Sequence, residues 1–195
     1  MPVSSNRYGR KMSSPTRSVF SRVPINHIGY VVSDIEEAVP WAVKTFGAGP
    51  FFLMPHMPFE VCTFNGAAAE YDHSSAFGQW GEIRIELTVV HGAKPAELGE
   101  LIGGNPPRVG HLGLIVDDLE AESAALEAAG MPLFHTGSTG PVVAHWHDAR
   151  ARLGHHIELL RRFPGLDAAQ ATFRAAADDW DGIDPLRVAR PGGDH

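Results

Sequence analysis

One cysteine, Cys62, is all that 195 residues contain. That scarcity excludes an internal disulfide and a thiolate-rich zinc centre, and it suits a reducing compartment. Cys62 itself reads as a small core hydrophobe. Long apolar runs are also missing: nothing approaches the ~20 residues of a membrane-spanning helix, and the first residues hold no secretory apolar core. No membrane partner is expected, and the reading places the protein in the cytoplasm. Acidic side chains are absent from residues 1–22, which hold Arg7, Arg10, Lys11, Arg17 and Arg22. Removing those five positive charges from the whole-chain value of −7 leaves −12 on the rest. So acidic a body repels phosphates, and the basic head lacks the Lys/Arg density of a binding arm, so no nucleic-acid partner is expected. Rich in Ser, Arg and Pro and poor in apolar residues, 1–22 reads as a disordered basic lead-in.

What is present is an ordinary globular composition, 44% hydrophobic and 20% charged, in a chain long enough to bury a core. Within it the sequence repeats. INHIGYVVSDIEEA, residues 25–38, returns as VGHLGLIVDDLEAE, residues 109–122, matching His27 with His111, Gly29 with Gly113, and Asp34 with Asp118. IRIELTVV, residues 83–90, and HHIELLRR, residues 155–162, match Glu86 with Glu158. Each half opens on a strand bearing His and closes on a strand bearing Glu. Between them Ser33, with Glu36, predicts a capped helix from about Asp34 to Phe46, interrupted by Pro40. A second helix is predicted from about Asp118 to Ala129, stopped by Gly130. Short strands follow each helix, at Phe51 to Leu53, Glu60 to Phe64 and Glu70 to Phe77, then at Leu133 to His135 and Val142 to His147.

The predicted fold is therefore α+β. Two βαβββ modules, 23–93 and 109–163, are too small to bury a sheet face alone and should form one curled eight-stranded mixed sheet around a cleft, helices outside. The Gly- and Pro-rich segment 94–108 reads as a linker. Residues 164–195 read as an added helix, Asp167 to Trp180 with Phe173 and Trp180 as anchors, and a tail.

Strand alternation sorts the polar residues by face. His27, Gly29 and Val31 share one face, as do Arg84, Glu86 and Thr88, and as do His156, Glu158 and Leu160. Taken singly, a His or Glu here is ordinarily a hydrogen-bonded polar residue, and a lone H-x-G has little meaning; a quartet in matching places of both halves is different. His145 and His147 share a face and are candidates to line the cleft as proton carriers or as donors behind the ligands. Arg84, Arg150 and Arg152 are candidates to hold a substrate carboxylate or phosphate. Phe51, Phe52, Phe59, Phe64, Phe77 and Trp80 serve either core packing or an apolar pocket.

Paired modules that open H-x-G-x-x-V and close I-E-L, from about Pro24 to Arg162, resemble the vicinal oxygen chelate superfamily. That superfamily includes glyoxalase I, methylmalonyl-CoA epimerase, bleomycin-resistance proteins and extradiol dioxygenases. The resemblance implies that His27, Glu86, His111 and Glu158 surround one divalent metal ion, with Zn, Ni, Co, Mn or Fe suited to two imidazoles and two carboxylates. It implies a lyase or isomerase, glyoxalase-like or epimerase-like, that moves a proton beside a metal-chelated carbonyl of a small molecule. Glu86, Glu158 and His156 are the expected catalytic groups. Two alternatives stand beside it. A non-catalytic binding or resistance protein would generally lack the quartet, and a ring-cleaving dioxygenase would gather its ligands within one module. The resemblance also implies a homodimer.

Overall fold

The two echoed motifs lie side by side in the computed structural model, which describes residues 18–189. β1 (His27–Val31) and β7 (Arg108–Val116) run antiparallel at the centre of the sheet. Ile28 stands opposite Leu112, so His27 faces Gly113 and Gly29 faces His111. Each strand then pairs in parallel with the last strand of its own half, β1 with β6 (Ile83–Lys94) and β7 with β10 (His156–Arg161). Antiparallel neighbours follow outward: β5 (Glu70–Trp80) and β2 (Phe51–Met54) on one side, β9 (Val142–His147) and β8 (Leu133–Thr139) on the other. The order β2-β5-β6-β1 is thus repeated as β8-β9-β10-β7.

Among the described residues the sheet has eleven strands rather than the eight expected. β3 (Val61–Phe64) and β4 (Ala67–Ala68) form a hairpin that leaves the first half and pairs with β8 of the second. The chain between β2 and β3 therefore crosses the open side of the sheet. There Phe59 packs against Tyr71 of β5, His135 of β8 and Trp146 of β9, which ties the two halves across the curl. β11 (Leu186–Val188) adds in parallel to β2 at the opposite edge.

Two helices pack on the outer face at equivalent places. α1 (Ile35–Phe46) is capped by Asp34, whose carboxylate accepts from the Glu37 amide at 3.1 Å, and not by Ser33 as the sequence suggested. α3 (Leu119–Ala128) is capped in the same way by Asp118, at 3.0 Å from the Ala121 amide. Beneath α1 lie Phe51, Ile85 and Leu87, and beneath α3 lie Leu114, Ile157 and Leu159. These apolar residues alternate with the polar ones of β6 and β10, so one face of each strand anchors a helix and the other is free to build a site.

The segment expected as a linker instead carries α2 (Ala96–Gly103). Pro95 precedes its first turn, and Leu98 and Ile102 fall one turn apart, buried with Phe134 and Trp146. A short helix, α4 (Arg150–Leu153), precedes β10, and α5 (Leu166–Asp178) follows it. Residues 1–17 of the expected basic lead-in lie outside the described residues, as does the tail from 190 to 195. The lead-in does not reach residue 22, because Val19, in a 3₁₀ turn, is buried against Leu114 and Leu119. Among the described residues no helix is long and apolar enough to cross a membrane.

Candidate metal centre and its cavity

The H-x-G spacing has a steric origin. A Cβ added to Gly113 would lie 1.9 Å from Cε1 of His27, and one added to Gly29 would lie 2.1 Å from Cε1 of His111. Each imidazole lies over the glycine of the neighbouring strand, and any side chain there would push it aside. The sheet register then brings a carboxylate to the far side of each glycine, Glu86 beside Gly29 and Glu158 beside Gly113. The rings stand nearly perpendicular, 5.1 Å apart.

Four donor atoms converge within 4.8 Å of one another. His27 Nε2 is 3.1 Å from His111 Nε2, 2.8 Å from Glu158 Oε2 and 3.4 Å from Glu86 Oε2. His111 Nε2 is 3.2 Å from Glu86 Oε2 and 3.3 Å from Glu158 Oε2. Ligands bound at about 2.1 Å to one cation sit roughly 3.0–3.4 Å from their neighbours, so the residues fit a divalent ion. The outer partners fit as well. His27 Nδ1 donates to Asn26 Oδ1 at 3.1 Å, so with a cation bound the lone pair of Nε2 would be the one turned to the metal. Glu86 Oε1 accepts from Ser75 Oγ at 2.6 Å and Thr88 Oγ1 at 3.1 Å. No hydroxyl among the described residues holds Glu158 in the same way.

Burial alone would raise the carboxyl pKa values of Glu86 and Glu158. The hydrogen bonds from His111 to each and from His27 to Glu158, with the charges of His27 and His111, outweigh that cost and hold both below the usual carboxylate range. Burial pulls His111 down, but its bonds to Glu158 and Glu86 and their charges carry it up to about 10. Without a cation the cluster is thus an ion-paired imidazolium between two carboxylates. A cation must displace that proton, so its binding tightens as pH rises.

The quartet lies in a cavity of about 680 Å³. Phe77 and Leu160 of the sheet contribute to its walls, with Phe59 from the crossing segment. The opposite wall is α5, which presents Leu166, Ala169, Gln170 and Phe173. The sequence reading gave α5 no part in the site, although these four follow the i, i+3, i+4, i+7 pattern of one helical face.

Several expected site residues lie elsewhere. His156 is on the same strand face as Glu158, but α2 covers it. Its Nε2 donates to the Leu101 carbonyl at 3.3 Å, its ring packs 4.7 Å from Phe134, and it does not line the cavity. Burial pushes its pKa down to about 4, so it is a neutral packing residue at pH 7. His145 and His147 turn away from the cleft toward α3, where both meet the Ser123 hydroxyl. Arg150 pairs with Asp148 on the surface, and neither it nor Arg152 reaches the cavity. Of the six aromatics singled out, Phe59 and Phe77 line it, while Phe51 is fully buried in the core under α1.

Comparison with known proteins agrees with this architecture. No curated protein matches the chain in sequence. Among solved structures, methylmalonyl-CoA epimerase from Mycobacterium tuberculosis is similar over 83% of this chain and 99% of its own, with 18% identity and a TM-score of 0.51. A hypothetical protein from Bacillus halodurans is similar over 73% of this chain and 96% of its own, with 16% identity and the same TM-score. At such identities the likeness is one of fold. The family model of the glyoxalase/bleomycin resistance protein/dioxygenase superfamily matches residues 26–149, which include His27, Glu86 and His111 and stop short of Glu158. The chain belongs to that superfamily.

Proposed function

We propose that the protein is a divalent-metal-dependent isomerase or lyase that moves a proton on a carbon next to a carbonyl of a small molecule. The observation that carries this reading is the convergence of two imidazoles and two carboxylates, one of each per half, in a cavity of about 680 Å³. A divalent cation held by His27, Glu86, His111 and Glu158 would act as a Lewis acid, polarising a chelating carbonyl and acidifying the adjacent C–H. Glu86, tied by Ser75 and Thr88, is the fixed carboxylate. Glu158 has no such anchor, so it is the carboxylate free to turn toward the substrate and take the proton. Phe77, Phe173 and Leu160 line the cavity with apolar surface, which limits water there and protects the carbon from stray protonation.

The test combines metal content by mass spectrometry with deuterium exchange at the α-carbon of small 2-oxo acids and acyl esters in D₂O, followed by NMR. One divalent ion per chain and metal-dependent exchange are expected. Oxygen consumption without exchange would point to a dioxygenase, and ligand binding without exchange to a sequestering protein; either defeats the proposal. The same reading takes the active form as a homodimer, which sedimentation at micromolar concentration checks.

A further inference from the structure

The geometry points to a carboxylate-binding subsite formed by Arg84 and Gln170 in the wall of the same cavity, which makes the substrate a carboxylic acid anchored at a point separate from the metal. The inference rests on the metal-centre reading for the second attachment point and for the neutralisation of Glu86 and Glu158. Arg84 is 9% exposed and lines the cavity, two residues from Glu86 on the same face of β6. Its guanidinium lies 5.6 Å from the Phe77 ring centroid and 5.3 Å from that of Phe173. Among the described residues no carboxylate forms an ion pair with it, whereas Arg150, Arg161 and Arg162 are all paired at the surface. A buried guanidinium calls for an anion.

Hydrogen bonding sharpens the assignment. Arg84 Nη2 donates to Asn26 Oδ1 at 2.5 Å, and Arg84 Nε is buried without a partner. Because arginine has only donors, the Asn26 atom that meets it is the oxygen, and the amide nitrogen of Asn26 must be the end that donates to Gln170 Oε1, at 2.9 Å. That turns the Gln170 nitrogen away from Asn26, and Gln170 Nε2 is also buried without a partner. Two orphaned donors, and no orphaned acceptor, flank one asparagine behind the cavity wall, which Arg84 and Gln170 line. Arg174, one turn beyond Gln170 on α5, adds a second positive charge close enough to be felt by Arg84. Once a divalent cation neutralises Glu86 and Glu158, Arg84 is left as the uncompensated charge in the cavity interior. A planar carboxylate meets these donors along the guanidinium edge while the rings cover part of its surroundings.

Cobalt(II)-loaded and metal-free protein titrated with 2-oxoglutarate and with 2-oxopentanoate, which lacks the distal carboxylate, tests the subsite by calorimetry and by the cobalt absorption band. The parent is expected to prefer 2-oxoglutarate by about tenfold or more, as for a charge-assisted bidentate contact. Arg84→Met, which keeps an apolar stem against Phe77 and Phe173, should abolish the preference and leave 2-oxopentanoate binding unchanged; Gln170→Leu should reduce it by about threefold. Equal affinities in the parent overturn the proposal. So does a preference that survives in Arg84→Met, or in Arg84→Gln if the methionine variant does not fold. The two readings separate cleanly. Cobalt uptake with equal affinities defeats the subsite alone, and an Arg84-dependent preference in protein that takes up no cobalt defeats the metal centre alone.

Discussion

β6 and β10 occupy equivalent places in the two halves and bring a glutamate to the same point, yet they differ on both sides of it. On β6 Glu86 stands between Arg84 and Thr88, both facing the cavity. On β10 Glu158 stands between His156, sealed beneath α2, and Leu160, an apolar wall residue. Hydroxyls hold the first carboxylate, and none among the described residues holds the second. The repeat therefore preserves a His and a Glu per half, the set that one cation would demand from both sides. Two residues away that demand lapses, and the halves diverge into a polar side that orients and an apolar side that leaves its carboxylate free.

Neutralising the two carboxylates separately is the strongest way to break the comparison. Glu158→Gln should lower α-carbon exchange by roughly 10²–10⁴, the usual loss of a proton carrier, while Glu86→Gln should show its larger effect on metal content. Equal profiles for the two variants, read by exchange rate and mass spectrometry, would remove the division of labour. At the glycines the halves should instead behave alike. Gly29→Ala and Gly113→Ala each force an imidazole out of place, and each should empty the metal site at a stability cost of about 1–3 kcal/mol in urea unfolding. Full metal content in either variant contradicts the reciprocal packing.

Loosening the support of Glu86 tests the asymmetry more gently. Ser75→Ala with Thr88→Val should weaken metal binding by about 10–100-fold, measured by competition with a chelator. Acidity provides a further contrast, with and without the cation. His111 is raised from 6.5 to about 10 in the metal-free protein, so its contribution to stability is complete below pH 6.5 and is lost as pH climbs toward 10. Glu86 and Glu158 are depressed from 4.5, so theirs is complete above pH 4.5 and lost as pH falls below it. Calorimetric Tm of metal-free protein should therefore decline from pH 6.5 to 10, while the gain from added cation grows over the same range. Parallel curves would deny the proton displacement. The smallest effect is expected at His156, where His156→Phe should leave metal content and exchange intact and cost about 1–3 kcal/mol through the orphaned Leu101 carbonyl.

The repeat and the quartet were legible because both are written in local strand motifs: H-x-G and I-E-L each set a face by alternation alone. What covers a face is not local. His156 was assigned to the correct side of β10, but nothing near it announces that α2, some 55 residues away, closes over it. The partnership of β3 with β8 joins Val61 to Ser138, a pairing no short-range pattern encodes. α2 was hidden by the glycines and prolines around it, although Pro95 is where a helix tolerates proline. Three arginines looked equivalent in sequence, and only the curl of the sheet separates Arg84 from Arg150 and Arg152.

The reciprocal packing at the β1–β7 seam also makes the molecule divisible. Each half owns a single imidazole and a single carboxylate of the quartet, and the turn at Asn105 and Pro106 that joins them is exposed. Two polypeptides produced by opening the chain there would each hold half of a chelate, too little to retain a cation singly. Their reassembly would then respond to metal concentration, as a split reporter responds to its inducer, with the cation as the dimerising agent.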